Sequence, residues 1–349
     1  MIPQAILPAH IDSTMINCFR SCPQKFFNEY ILGLRPPDVS IDLHAGAVFS
    51  STLECFYKEV YLNGSETSVA LARAYAHFHA EWGDFIIRND RHPKTPENVW
   101  AAVEDYVRVY PPGTDSVQPY YTGSGATFEY SFAIPLDLPH FPRHPVSGDP
   151  FIYAGRFDLL GKKDGRPVIR DEKTASRLES NWSEKWDLRS QFLGYCWSLQ
   201  HLGIPCNTTI VRGVIITLTS IRQVEAIKLY PQHLIDRWYE QLRRDLEHLV
   251  DCYADGYFDY NLGDSCTIYN HCPFIPLCSS NQPENWYDSY EVRRWNPLNR
   301  NPLPAAPTVP SGNGIEQVPN PSSPAAPTNS GVASKTADTD ATTSEPSWW

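Results

Sequence analysis

Three residues suggest chemistry before anything else in the chain does. Asp158 lies in the run GRFD, and Asp171 and Lys173 lie in DEKT. Both runs sit in apolar, strand-like stretches, Phe151–Gly161 and Pro167–Thr174, joined by the polar turn Lys162–Gly165. Residues i and i+2 of a strand share a face, so Asp171 and Lys173 project together and Glu172 projects the other way. A hairpin about the turn brings Asp158 beside Asp171. Two carboxylates are hard oxygen ligands that suit Mg²⁺ or Mn²⁺ and leave positions for water and substrate. A cation held there lowers the pKa of a bound water and polarises a phosphoryl oxygen. The lysine then orients the nucleophile and stabilises developing charge. The backbone carbonyl of Glu172 is a further ligand. Gln191 and Tyr195, in QFLGY, are four apart and share a face of the following helix. Gln191 is placed there to hydrogen-bond Lys173 or a phosphate. An isolated D-x-K is ordinarily a solvated ion pair at a strand end. The upstream Asp158 and the apolar flanks of both runs favour a site.

The cysteines form a second constellation. Cys266, Cys272 and Cys278 are spaced C-x5-C-x5-C, an incomplete tetrathiolate. The fourth ligand is expected from Cys22 in CPQKFF, with Cys18 as the alternative and His271 able to replace one thiolate. Four such ligands suit Zn²⁺. The chain has nine cysteines, an odd number that excludes complete pairing, and in a reducing compartment clustered cysteines serve as metal ligands. Cys55, Cys196, Cys206 and Cys252 are scattered and read as small core residues.

The elements that must position these groups follow from periodicity. A helix capped by Ser13 carries Met15, Ile16, Phe19, Phe26, Phe27 and Tyr30. Further helices are predicted over His44–Tyr61, Thr67–Arg88 and Pro96–Tyr110. The pattern then changes to strands at Ala126–Ile134 and in the two runs above. A helix over Trp186–Leu202 follows, then strands Thr208–Thr217 and Gln223–Leu229, and a helix opened by Pro231 that runs to Tyr253. The fold class is α/β with a helical N-terminal addition. From Asn296 the chain holds ten of its 31 prolines with Ser, Thr, Ala and Asn, and almost no large apolar residue before Trp348 and Trp349. Such a segment cannot bury enough surface to offset its ordering entropy. It reads as a disordered tail whose terminal tryptophans could dock to a partner.

Together these pieces resemble the RecB-like branch of the PD-(D/E)XK nucleases, in particular its iron–sulfur exonucleases of the CRISPR-associated kind and small phage-encoded members. The resemblance covers about residues 12–280 and rests on the order of its parts. These are the opening Ser13 to Leu34, the run Ala45 to Glu54, the strand with Glu129, GRFD, DEKT, QFLGY and the closing cysteines. It implies a restriction-endonuclease-like αβββαβ core within a nuclease domain over 9–295, with a helical insertion at about 64–110 and a cysteine-rich C-terminal staple at about 266–278. The tail is 296–349. It also implies that Asp158 and Asp171 bind Mg²⁺ or Mn²⁺, that Lys173 assists catalysis, and that Gln191 is an ancillary residue with Tyr195 beside it. Cys22, Cys266, Cys272 and Cys278 would ligate a [4Fe–4S] cluster. The branch usually has a metal-binding His four residues after the Gly that stands here at position 46. Ser50 occupies that place and His44 lies off the same helix face, so either fewer side chains hold the metal or another residue such as Glu54 contributes.

The expected activity is metal-dependent hydrolysis of DNA at single-stranded or duplex ends, in recombination, repair or phage DNA processing. A helicase, recombinase or single-strand-binding protein is the expected partner. The alternatives are a non-catalytic nucleic-acid-binding protein that keeps the fold and the metal staple, and a zinc-stapled interaction protein. A formal charge of −11 excludes a globally basic nucleic-acid coat protein but not a local basic groove. Arg156, Arg170, Arg189, Lys25 and Arg20 lie near the expected site. No apolar run reaches the ~20 residues of a membrane span, and the opening MIPQAILPAHIDS has no basic residue before its apolar run, unlike a secretory signal. The expected location is the cytoplasm, with no membrane partner.

Overall fold

A computed structural model describes residues 3–89, 91–122, 125–267 and 271–298. The predicted tail falls outside the described residues from position 299 onward. The main elements, numbered in chain order, are α1 (Ser13–Ser21), α2 (Ile41–Tyr61), α3 (Thr67–Trp82), α4 (Pro96–Val109), β1 (Phe128–Pro135), β2 (Ile152–Lys163), β3 (Arg166–Ala175), α5 (Ser190–His201), β4 (Thr208–Ile216), β5 (Ile221–Leu229) and α6 (Gln232–Asp255).

The sheet runs β1–β2–β3–β4–β5, with short strands at His10–Ile11 and Gln118–Pro119 flanking β2. All neighbours among the five are antiparallel except β3 and β4, which are parallel and joined through α5. This is a mixed α/β architecture with a central mixed sheet, consistent with a restriction-endonuclease-like fold. Alternation along the strands sends side chains to two cores. On one face Tyr153, Phe157, Ile169 and Val211 pack under α1, α5 and α6. Helix α6 contributes Ile235, Trp238, Leu242, Leu246 and Leu249 at helical spacing. On the other face Leu159, Val168, Ile210 and Val214 pack under α2, α3 and α4.

Local chemistry moves several predicted boundaries. The first helix is capped by Asp12, whose Oδ1 accepts the Met15 amide at 2.8 Å, and not by Ser13. It does not run on to Tyr30. Cys22 precedes Pro23, and a proline disfavours the helical conformation in the residue before it. Cys22 is extended (φ −167°, ψ 111°), and a short helical turn, Pro23–Phe26, starts anew. The third helix stops at Trp82 because Gly83 takes φ 55°. The helix expected from Trp186 starts at Ser190, after a 3-10 turn over Glu184–Trp186. The hairpin turn is two residues long. Asp164 and Gly165 both have positive φ (50° and 78°), and Lys163 pairs Arg166. That is the Asp-Gly chemistry whose twist matches the two strands.

Candidate active site

The hairpin β2–β3 is zipped from Lys163↔Arg166 to Leu159↔Arg170. Beyond that pair the strands part at Asp158. The Asp158 carboxylate takes over from the ladder, with Oδ2 accepting the Glu172 amide at 2.9 Å. On the other side of β2 the regular pairing with β1 also skips a position: Phe128 opposes Leu159 and Tyr130 opposes Phe157. The residue between is Glu129, with φ 48°. Phe157 faces the α5–α6 core while Leu159, two residues on, faces the α2–α4 core. The alternation therefore changes phase at Asp158, and three neighbouring strands each deliver a carboxyl to one region: Glu129, Asp158 and Asp171.

Asp171 is 1% exposed, and its Oδ2 lies 2.7 Å from Lys173 Nζ. Gln191 Nε2 donates to Asp171 Oδ1 at 3.3 Å and lies 3.1 Å from the Tyr195 hydroxyl. Tyr195 in turn donates to the Arg156 carbonyl at 2.6 Å, which ties α5 to β2. Gly155 makes that approach possible, because a Cβ there would stand 2.5 Å from the Phe132 ring and 3.1 Å from Tyr195. Glu129 lies 2.5 Å from Arg156 Nε and accepts from Ser50 Oγ at 3.3 Å. Ser50 thus reaches the acidic group from the position where a histidine was expected. Glu54 is paired with Lys58 at 2.5 Å. It lines both a small cavity with Ser50, Glu129, Asp158 and Glu172 and a neighbouring cleft of about 780 Å³ that includes His44, His77 and Arg156.

Charge is not balanced here. Burial, then the charges of Asp171, Glu129 and Glu172, raise the Asp158 carboxyl well above its usual range, against the pull of Lys173. Burial likewise raises Asp171 against Lys173. Burial lifts Glu129 to about 7, Arg156 opposing and Glu54 adding to the rise. For Lys173, burial alone would lower the ammonium pKa, but Asp171 and Asp158 raise it on balance. Asp171 Oδ2 and Glu129 Oε2 are buried and have, among the described residues, an ion-pair partner but no hydrogen bond. Under-coordinated, mutually repelling oxygens are a donor set that a hard divalent cation would satisfy.

The reverse face of β3 is different. Glu172 accepts from Tyr106 Oη at 2.5 Å and is ion-paired with Arg170, whose Nε lies 2.6 Å away. Arg212 makes a fork to Asp115 at 2.6 and 2.7 Å and reaches Glu225 at 3.0 Å. Arg170 stacks over Tyr57 and Arg212 over Tyr110. Arg170 is therefore corrected from a possible phosphate contact to a buried structural cation, 2% exposed. Arg156 is engaged by Glu129. Arg20 pairs Asp245 at 2.7 Å and, with Arg189, Ser13, Thr14 and Gln191, lines a polar groove of about 400 Å³. Lys25 lies elsewhere, beside the cysteines.

Cys22, Cys266, Cys272 and Cys278 line one small cavity together with Lys25 and Tyr260. The break at Cys22 turns that residue out of α1. Cys18 is buried on the helix against Glu29, 3.8 Å from its carboxylate, and does not line the cavity. His271 is not among the lining residues either. The sequence reading named Glu129 only as part of a strand, although a carboxylate in the otherwise apolar ATFEYSFAI was a signal. It missed the partners Asp115, Tyr106 and Arg212, which lie up to 106 residues apart in sequence and share no motif. Among the described residues, no helix is long and apolar enough to cross a membrane.

Among solved structures the chain is similar to a candidate exonuclease from Eubacterium rectale, at 12% identity and a TM-score of 0.39, over 76% of this chain and 89% of that one. It is also similar to the protein SSO0001, at 13% identity and a TM-score of 0.28, over 68% of this chain and 76% of the other. No curated protein matches. The model of one family does match, from residue 13 to residue 279, a span that holds the carboxylates, Lys173, Gln191 and all four clustered cysteines: the chain belongs to the PD-(D/E)XK nuclease superfamily, whose members are generally nucleases.

Proposed function

We propose that the protein is a metal-dependent deoxyribonuclease, an exonuclease that hydrolyses phosphodiester bonds at DNA ends. The observation that carries this reading is the excess of carboxylate where three strands part, with one lysine and one glutamine directed at Asp171. Asp158 and Asp171 would hold Mg²⁺ or Mn²⁺, with the Glu172 carbonyl and Glu54 as further ligands. Glu129 joins them on its position. The bound cation supplies an activated water and a polarised phosphoryl oxygen. Lys173 stays protonated against Asp171 and offers its charge to the scissile phosphate. Gln191 fixes the Asp171 carboxylate, and Tyr195 fixes Gln191. The groove bearing Arg20, Arg189 and Gln191 fits a phosphate backbone leading to that point. The 780 Å³ cleft beside Glu54 leaves room on the opposite side.

The four cysteines bring thiol side chains to one cavity, which supports a [4Fe–4S] cluster, with Zn²⁺ as the other metal that chemistry allows. Its role would be structural: it would join the N-terminal helices to the chain after α6. A helicase, recombinase or single-strand-binding protein, and a cytoplasmic site of action, are the corresponding partner and location.

The test is a time course on end-labelled single- and double-stranded DNA with Mn²⁺ and with EDTA, for the parent, Asp171→Asn and Lys173→Met. Either substitution is expected to cut the rate by roughly 10²–10⁴-fold with the fold retained. Full metal-dependent activity in both variants would refute the assignment. Binding without hydrolysis by the parent would favour a non-catalytic DNA-binding protein, a reading that Ser50 in the place of histidine keeps in view.

A further inference from the structure

A second set of metal-type donors lies outside both constellations. His248 and Cys252 are four residues apart on the last turns of α6 and share a face. Gly256, at φ 64°, ends the helix and turns the chain back, so that Asp259 returns over that face. One ligand atom from each of His248, Cys252 and Asp259 lies within 4.8 Å of the others. His248 Nε2 and Asp259 Oδ2 are 3.0 Å apart. Cys252 is 5% exposed, at the floor, while the other two are about half exposed, at the rim. The Asp259 backbone N–H is directed at the Cys252 sulfur, while burial and then the Asp259 charge raise the thiol pKa on balance. The His248 ring is held edge-on by Phe19, with centroids 5.2 Å apart.

We infer that His248, Cys252 and Asp259 form a binding site for a single Zn²⁺ ion, separate from the nuclease carboxylates and from the four-cysteine cavity. One nitrogen, one sulfur and one oxygen suit zinc, whereas Mg²⁺ and Ca²⁺ take oxygen alone. Bond lengths of about 2.0–2.3 Å put tetrahedral ligand atoms roughly 3.3–3.7 Å apart, so the group closes on zinc with small side-chain shifts. The His248–Asp259 pair is the metal-free form of the same contact. Three protein ligands leave the fourth position to water. The reading of Cys252 as a plain core residue changes accordingly.

The site has a place in the architecture. The Asp259 carbonyl accepts the Gln24 amide at 3.0 Å, and Asn261 Nδ2 donates to the Ser21 carbonyl at 2.7 Å. Both anchors flank Cys22. Zinc at Asp259 therefore clamps the end of α6 to the segment that presents Cys22.

The zinc site is independent of nuclease activity. Its test is metal analysis and thermal melting of the full chain, chelated and then dialysed against Zn²⁺, compared with Asp259→Asn and His248→Ala. The expected result is one fewer tightly bound zinc per chain in each variant, and a smaller zinc-induced rise in Tm. Metal bound by the four cysteines should be unchanged. Asp259→Asn is half exposed and nearly isosteric, so it separates lost ligation from lost folding. Equal zinc content and equal Tm response in the parent and Asp259→Asn would overturn the site.

Discussion

The two faces of strand β3 carry the same residue types and use them oppositely. On one face Arg170 and Glu172 enter a network with Arg212, Asp115, Tyr106 and Glu225, where each buried charge meets an opposite one at hydrogen-bond distance. On the other, Asp171 and Lys173 lie beside Asp158, where the strands part and which also feels Glu129, so the negative groups outnumber what Lys173 and Arg156 can neutralise. Balanced buried charge is scaffold, because each group is already satisfied. Unbalanced buried charge raises carboxyl pKa values and stores repulsion that a ligand can relieve. The two are mechanically joined. Arg170 and Tyr106 hold the Glu172 side chain from behind, and the Glu172 amide holds Asp158 in front.

The contrast is sharpest under substitution. Arg212→Met leaves Asp115 buried without its fork partner. It should cost about 3–5 kcal/mol, read as a fall in urea midpoint. Asp158→Asn should instead leave the metal-free protein as stable or more stable, while abolishing Mn²⁺-dependent stabilisation. If the two variants lose stability equally, the distinction between scaffold and site fails.

A smaller effect follows from pH. Glu129, Asp158 and Asp171 have raised pKa values when folded, Glu129 to about 7. The folded metal-free chain therefore binds more protons than the unfolded one. The stability these three carboxyls contribute should be fully present below their ordinary values of 3.8 (Asp) and 4.5 (Glu) and be lost as pH rises through their raised folded values, about 7 for Glu129. Ligation needs the deprotonated forms, so Mn²⁺ affinity should rise over the same window with proton release. Calorimetric titration in two buffers of different ionisation enthalpy measures that release, and its absence would remove these carboxyls from the metal site. The smallest effect belongs to Tyr195→Phe, which loses the bond to the Arg156 carbonyl. About 1 kcal/mol of stability is expected, together with a lower cleavage rate through a loosened Gln191. A normal rate would make the tyrosine scaffold alone.

Much of this was legible in the sequence for local reasons. Period-2 and period-3.6 patterns placed α2, α4, β2, β3 and α6 within a few residues. The i, i+2 rule set Asp171 with Lys173 and turned Glu172 away, as the ion pair and the Tyr106 contact have it. Boundaries moved where one residue's backbone preference decided, as at Pro23, Gly83 and the Asp164–Gly165 turn.

What the sequence determined by itself was therefore the inventory and its spacing: which carboxylates, lysine and cysteines exist, and which share a strand or helix face. Spacing fixes a face because strand and helix periods are set by covalent geometry. Only the tertiary structure decided which faces meet. Parting of the hairpin at Asp158, the phase change at Glu129 and the return of Asp259 over Cys252 depend on contacts between elements distant in sequence. No local period encodes those. The choice between Cys22 and Cys18 shows the division: the sequence favours Cys22 with Cys18 as the alternative, and in the fold the break before Pro23 brings Cys22 to the cavity while Cys18 stays buried on the helix.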